Sequence, residues 1–106
     1  MKILEYINNN ITYLDGGMGT MLQSEGLGKG ERPEMWNLTH PESVIAVHKA
    51  YFDAGSNIVS SNTFGVNALV YSESEMKELI EKAYNNCMTA KNQSLGKQEK
   101  FIAFDI

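Results

Sequence analysis

Three clusters of residues in this sequence carry groups that could bind a small polar molecule. Each accompanies a short apolar run: Asp15-Gly16-Gly17 in YLDGGMGT, Asn62-Thr63 in NTFG, and Asp105 in KFIAFDI. The first cluster places a carboxylate beside a stretch of backbone that carries no side chains. That combination is compatible with a tight turn, a phosphate cradle, or the floor of a binding site.

Simpler interpretations of the clusters remain open at this level. A dinucleotide-binding G-x-G-x-x-G motif that starts at Gly17 would require a glycine at position 22, which is Leu22. Asn62 and Thr63 would alternatively cap a following helix, and Asp105 would alternatively be a plain strand-end residue. Asp-Gly pairs are also common in ordinary turns.

Hydrophobic spacing predicts five elements that would position these clusters. Three short apolar runs are typical of strands: residues 11–14, 57–61 and 100–106. Apolar stripes at three- and four-residue spacing predict helices over residues 39–54 and 72–95, and residues 23–37 are predicted to form an irregular loop. The helix ends are predicted from two capping boxes and two glycines: Thr39/Glu42, Ser72/Glu75, Gly55 and Gly96.

The order strand, helix, strand, helix, strand predicts an α/β fold with a parallel βαβαβ arrangement. Ligands bind at the carboxyl ends of strands in such folds, so the three polar clusters would face one rim. The third strand would leave an unpaired edge and expose Phe101, Ile102 and Phe104. We therefore predict that residues 1–106 are the N-terminal portion of a barrel of about 250 residues, truncated after the third strand. The fragment is expected to self-associate through its exposed sheet edge.

Composition excludes several classes of function. The net charge is −4 with no stripe of lysine and arginine, which argues against nucleic acid as a partner. No apolar run approaches the roughly 20 residues of a membrane span, and residues 1–10 do not form a secretory signal. The single cysteine, Cys87, permits neither an internal disulfide nor a multi-cysteine metal site, and it is predicted to pack in the core, as is His48. These features favour a cytoplasmic protein.

Three longer segments resemble the opening of the homocysteine S-methyltransferase family, in particular its methionine-synthase-like branch. They are LDGGMGTMLQSEGL, PEMWNLTHPESVIAVHKAYFDAGSNIVSSNTFG and KFIAFDI, in that order. The resemblance covers nearly the whole chain, from about Leu14 onward. It implies a (β/α)8 TIM barrel and the transfer of a methyl group to homocysteine, giving methionine.

The resemblance also implies cofactors and partners. Cysteines on late strands of the full family domain bind zinc, and zinc keeps the homocysteine sulfur as a thiolate. The methyl donor would be methylcobalamin, a methylfolate or a methylated onium compound, with cobalamin as a cofactor where the parent protein carries such a module. Cys87 lies on a predicted helix well before those strands, so this chain is expected to lack the zinc ligands and to be inactive alone.

By the same resemblance, Asp15 would bind the ammonium group of homocysteine, and the backbone N–H groups of Gly16 and Gly17 would bind its carboxylate. The same rim would be lined by Asn62, Thr63 and Asp105. Two other classes of function remain open. One is a stand-alone small α/β binding or assembly module, and the other is a phosphate- or nucleotide-binding α/β protein that uses the loop Gly16–Thr20.

Overall fold

A computed structural model describes residues 3–104 of the chain. Asp105 therefore lies outside the described residues. In this range the secondary structure comprises α1 (Ile3–Asn9), α2 (Met18–Ser24), a 3-10 turn (Pro33–Met35), α3 (Trp36–Thr39), α4 (Pro41–Asp53), β1 (Ile58–Ser60), α5 (Glu73–Gln93) and β2 (Phe101–Ala103). The fold is mixed α/β, as the sequence predicts.

Parallel pairing of the strands is confirmed. β1 pairs with β2 in parallel, with Ile58 opposite Phe101, and Leu14 forms a parallel bridge with Ile58 on the other edge of β1. The predicted first strand is reduced to this single bridge. Its side chains give little reason for a longer ladder, because Leu14 is 68% exposed and Ile11 is 78% exposed, so a longer pairing would bury little apolar surface.

Two long helices cover one face of the sheet. The buried residues of α4 and α5 lie at the three- and four-residue spacing that the sequence predicts. They are Val44, Val47, His48 and Phe52 in α4, and Leu79, Ala83, Cys87 and Ala90 in α5. Phe52 of α4, Val59 of β1 and Cys87 of α5 form one core cluster, against which Ile102 packs. Ile102 is therefore half-buried and not bare as predicted, because it packs against this cluster.

The predicted helix boundaries hold at the start of α5 and at the end of α4, and they fail at the start of α4 and at the end of α5. Ser72 and Glu75 form the predicted capping box, with Glu75 N donating to Ser72 Oγ and Ser72 N donating to Glu75 Oε1. The Thr39/Glu42 box is wrong: His40 is the N-cap of α4, since Thr39 belongs to α3 and donates its hydroxyl to a carbonyl of the preceding turn.

The end of α5 also differs from the prediction. The helix stops at Gln93, before Gly96, because Ser94 Oγ and Leu95 N both donate to the Asp53 carboxylate at the end of α4.

The end of α4 agrees with the prediction. Ala54 is the C-cap, Gly55 follows it at φ 109°, and Gly55 N and Ser56 N donate to the carbonyls of Phe52 and Tyr51, which is the usual glycine stop of a helix.

The amino ends of the strands are closed by α1, which the sequence analysis did not predict. The ring of Tyr6 lies 5.6 Å from that of Phe101, so Phe101 is only half-exposed rather than bare. Asn57, which precedes β1 and is 2% exposed, connects three segments. Its side chain accepts a hydrogen bond from Tyr13 N and donates to Tyr6 Oη and to the Glu99 carbonyl.

Within residues 3–104, none of the helices combines the length and the apolar character that a membrane crossing requires.

Candidate functional site

A cavity of about 550 Å³ lies at the carboxyl ends of the Leu14 segment and β1. Three stretches of chain line it: residues 15–19, residues 31–34, and residues 60–62 together with Phe64 and Gly65. The parallel pairing explains why the first and third stretches converge, because the residues that follow neighbouring parallel strands emerge at the same edge of the sheet.

Asp15 is held where the two strands end. Its backbone N donates to the Ile58 carbonyl, and Ser60 N donates to its carboxylate oxygen Oδ2 at 3.0 Å. The residue is half-buried and lines the cavity. The main chain therefore fixes the position of a carboxylate at the floor of the cavity, which is an arrangement suited to binding a cationic group.

The glycines after Asp15 form the connection to α2, and a side chain explains why the first is glycine. Tyr51 of α4 donates its hydroxyl to the Gly17 carbonyl at 3.0 Å, and a Cβ on Gly16 would lie 2.7 Å from that hydroxyl oxygen. Burial, followed by the Asp15 charge, raises the pKa of Tyr51, so the hydroxyl remains a donor at neutral pH. The Asp-Gly-Gly stretch is thus a strand-to-helix connection against which the Tyr51 side chain packs tightly.

A second group of side chains lies across the cavity. Glu34 is 4% exposed, and Tyr71 donates its hydroxyl to Glu34 Oε2 at 2.7 Å. Arg32 Nη1 lies 4.0 Å from the same oxygen, and the Arg32 guanidinium lies 5.9 Å from the centre of the Tyr71 ring. Burial, and then the neighbouring Glu34, raise the pKa of Tyr71 to about 12, so Tyr71 stays protonated and keeps donating to the carboxylate.

Sequence reasoning missed this second group. Glu34 and Tyr71 are 37 residues apart, and neither lies on an apolar stripe that would have marked it as buried. One signal was available for Arg32. It is the only arginine among the 106 residues, which carry eight lysines.

The remaining predicted site residues differ in their placement. Asn62 lines the cavity, its side chain donates to the Pro33 carbonyl at 2.6 Å, and its own carbonyl accepts from Asn37. Thr63 is 1% exposed, and its hydroxyl pairs with that of Ser61 at 2.7 Å. Neither caps the next helix, whose N-cap is Ser72. Thus Asp15, Gly16, Gly17 and Asn62 share one cavity, Thr63 lies in the packed chain beside it, and Asp105 is outside the described residues.

Asn62 belongs to a buried amide network that joins the cavity to the helices. Asn37 donates both to the Asn62 carbonyl and to the Glu34 carbonyl. Asn86 of α5 donates in turn to the carbonyl and the side-chain oxygen of Asn37. The network fixes residues 34 and 62 relative to each other, so the two walls of the cavity have a defined separation.

Cys87 and His48 form a buried pair away from this cavity, between α4 and α5. Sγ of Cys87 lies 3.3 Å from Nε2 of His48, and both residues are fully buried. Burial raises the pKa of the Cys87 thiol to about 12 and lowers the pKa of His48 to about 4. Both groups are therefore neutral near pH 7, which does not suit a nucleophile or a metal-binding thiolate.

The side chains that the structure describes do not fit zinc. Across residues 3–104, no three side chains of histidine, cysteine, aspartate or glutamate are close enough together to hold a metal ion. The thiol, which would be the preferred ligand, is locked in the core as its protonated form.

Comparison with known proteins identifies the family. The family model described as homocysteine S-methyltransferase matches residues 12–106. The chain belongs to this family. Its membership confirms the resemblance that the sequence motifs predict.

Relatives of the family share part of their length with this chain. The chain is 37% identical over 71 residues to a methionine synthase from Mycobacterium leprae (strain TN), a match that spans 61% of this chain and 6% of that protein. A methionine synthase from Mycobacterium tuberculosis (strain ATCC 25618 / H37Rv) is 35% identical over 71 residues, with the same coverage of 61% and 6%.

A solved structure shares the fold. The metallated form of the homocysteine methyltransferase MmuM from Escherichia coli superposes with a TM-score of 0.78 at 20% sequence identity. The match covers 92% of this chain and 38% of that chain. This chain thus spans less than half the length of the relatives that it matches.

Proposed function

We propose that the cavity forms part of the homocysteine-binding site of a homocysteine S-methyltransferase that produces methionine. The observation that carries the proposal is the position of Asp15, Gly16 and Gly17 at the carboxyl ends of neighbouring parallel strands in a chain of this family. In parallel α/β folds, this end of the sheet is where ligands bind.

The proposed contacts follow from the chemistry of an amino acid. The ammonium group of homocysteine donates to the Asp15 carboxylate, and the backbone N–H groups around Gly16 and Gly17 donate to its carboxylate. Asn62 maintains the wall opposite through its bond to Pro33. Thr63 and Asp105 stay in the proposal as residues of the same rim, Thr63 through its hydrogen bond to Ser61.

The methyl transfer itself is assigned to the whole enzyme and not to this chain. Homocysteine sulfur attacks the methyl carbon of the donor, so the new C–S bond forms as the bond to the leaving group breaks, and the thiol proton must leave first. Because the residues described here do not fit zinc, we assign to them the binding of the amino acid, and we expect no turnover by this chain alone.

We also propose that these residues form the first part of a β/α barrel. Support comes from the order Leu14 segment, β1, β2, in which neighbours in sequence are neighbours in space and all run parallel. Among residues 3–104, no further strand pairs with the outer edge of β2. That edge is where a fourth strand of a barrel would pair.

Charge disfavours the alternative of a phosphate or nucleotide at the Gly16–Thr20 loop. The cavity is lined by three carboxylates, on Asp15, Glu31 and Glu34, against the single guanidinium of Arg32. A phosphate group would meet net repulsion there, whereas a zwitterion carries one positive and one negative group and has partners for both.

The experiment that tests this function measures recognition of the ammonium group. Binding of L-homocysteine and of 4-sulfanylbutanoate, which lacks the amino group, is measured by calorimetry under reducing conditions for the natural chain and for Asp15→Asn. We expect the natural chain to prefer homocysteine and Asp15→Asn to weaken homocysteine binding about 10- to 100-fold, since a charge-assisted hydrogen bond is lost. Binding of the amine-free analogue should change little.

Glu81→Gln is the matched control, because Glu81 is an exposed acid of α5 that does not line the cavity. It should leave both affinities unchanged. Equal binding of the two ligands by the natural chain, or tighter binding of inorganic phosphate than of homocysteine, would overturn the proposal.

A further inference from the structure

We propose that Arg32 binds the carboxylate of the amino-acid ligand, opposite the Asp15 carboxylate that binds its ammonium group. The inference rests on the proposed function and adds a specificity residue to it. It assigns to the cavity a ligand class that carries both a free amino and a free carboxyl group.

The acidic lining of the cavity favours a cation for the ligand carboxylate, in addition to the backbone N–H groups around Gly16 and Gly17. Each acid that lines the cavity already has a donor: Ser60 N for Asp15, Trp36 Nε1 for Glu31 and Tyr71 Oη for Glu34. An incoming carboxylate therefore meets three acidic side chains whose hydrogen-bond donors are already engaged. Among the described residues that line the cavity, Arg32 alone supplies a positive side chain.

The guanidinium of Arg32 is held in place and remains accessible. The Tyr71 ring lies beneath it, with 5.9 Å between Cζ and the ring centre, and Glu34 Oε2 lies 4.0 Å from Nη1. That distance is beyond hydrogen-bond length, and a guanidinium has five N–H donors, so donors remain for a ligand. The side chain is 54% exposed, which allows contact with a molecule in the cavity.

The residue type supports the same role. An arginine forms two parallel hydrogen bonds to a carboxylate, whereas a lysine acts as a point charge. This chain uses lysine at its eight other basic positions, and the one arginine lines the cavity. Contact with Tyr71 and Glu34 orders the guanidinium before the ligand arrives, which lowers the entropic cost of binding.

The test separates recognition of the carboxylate from general effects on the cavity. Binding of L-homocysteine and of 3-aminopropane-1-thiol, which lacks the carboxyl group, is measured by calorimetry for the natural chain, Arg32→Gln, Arg32→Lys and Lys29→Gln. Lys29 is an exposed cation three residues away that does not line the cavity, so its variant controls for long-range charge.

We expect Arg32→Gln to weaken homocysteine binding about 10-fold or more and to leave binding of the carboxyl-free thiol within about 2-fold. Arg32→Lys should fall between Arg32→Gln and the natural chain, and Lys29→Gln should match the natural chain. An equal loss for both ligands, or no loss for homocysteine, would overturn the assignment of Arg32. If the natural chain does not bind homocysteine, the proposed function fails together with this inference; if it binds and Arg32→Gln is silent, the assignment of Arg32 alone fails.

Discussion

Glu34 shows how a single buried carboxylate determines its neighbours. It is almost fully buried, it accepts a hydrogen bond from Tyr71, and it lies against the backbone of Gly65. A Cβ on Gly65 would be 2.5 Å from Glu34 Oε1. Since Tyr71 holds the carboxylate, it cannot swing away without the loss of a buried hydrogen bond.

Gly65→Ala should therefore destabilise the protein. We expect the free energy of unfolding in urea to fall by about 1–3 kcal/mol, the usual cost of overpacking a filled site. Gly19→Ala is the control, because a Cβ there would have no described heavy atom within 4 Å and helix α2 should gain from alanine.

Repeating Gly65→Ala in a Glu34→Ser variant tests whether Glu34 is the group that the added Cβ would contact. In Glu34→Ser the space next to Gly65 is open, so Gly65→Ala should cost less there than in the natural chain. An equal cost in both backgrounds would contradict the role of Glu34.

At the level of single residues, the sequence predicts those cavity residues that directly follow a predicted strand. Asp15 and Asn62 follow apolar runs, and the pairing of those runs brings both residues to one cavity. Arg32 and Glu34 come from a glycine-rich connection without periodicity, and Tyr71 meets them only through the tertiary fold. Their proximity has no signature in local sequence.

The helices also differ in whether the sequence predicts them. α4 and α5 were predictable because each buries a stripe of residues over three or more turns. α2 was not, because this seven-residue helix has a glycine as its N-cap, a second glycine, Gly19, in its first turn, and buries Leu22 alone. The Thr39 cap failed because capping geometry depends on where the previous helix ends, and a four-residue helix carries no periodic signal.

The packing of α4 on α5 should make stability depend on pH through His48. Its pKa is lowered from 6.5 to about 4 by burial, and among residues 3–104 its Nδ1 atom is a buried polar atom without a hydrogen-bond partner. In the unfolded chain His48 binds a proton near pH 6.5, whereas in the folded chain it binds that proton only near pH 4. The contribution to stability is thus complete above pH 6.5 and is lost as the pH falls from 6.5 towards 4.

We expect urea unfolding to show a loss of about 2 kcal/mol between pH 7.5 and pH 5 in the natural chain. His48→Gln should remove most of this dependence, while His40→Gln, at an exposed histidine, should retain it. The same loss in His48→Gln as in the natural chain would show that another group is responsible. The carboxylates with lowered pKa values, Asp53 and Glu75, act at lower pH, below their ordinary values of 3.8 and 4.5.

At the scale of the whole molecule, the sheet is covered on one side and open at its edges. α4 and α5 bury Val59 and pack on Ile102, while Tyr13 and Leu14 at one edge are 60% and 68% exposed and Phe104 beyond the other is 38% exposed. Exposed strand edges with apolar side chains are templates for pairing with a further strand.

We therefore expect this chain to self-associate, and sedimentation equilibrium over a range of protein concentrations should show an average mass that rises above the 11.8 kDa of the monomer. Leu14→Lys should reduce the association, because a charge at the edge opposes strand pairing. Leu95→Lys is the matched control, since Leu95 is 84% exposed and lies in a loop after α5. A monomer at every concentration would contradict the expectation.

The amide of Asn57 has a consequence for how such a protein can diversify. Its hydrogen bonds connect segments that are 42 to 51 residues away along the chain. They lie at the amino ends of the strands, opposite the cavity. Substitutions in the loops around the cavity should therefore leave the hydrogen bonds of Asn57 intact. A library of variants restricted to residues 17, 19, 31–32, 64 and 67–70, which leaves out Gly16, Gly65 and the packed Met18 and Val66, should retain the fold while it explores new ligand preferences. The amino ends of the strands would then stay constant while the mouth of the cavity varies.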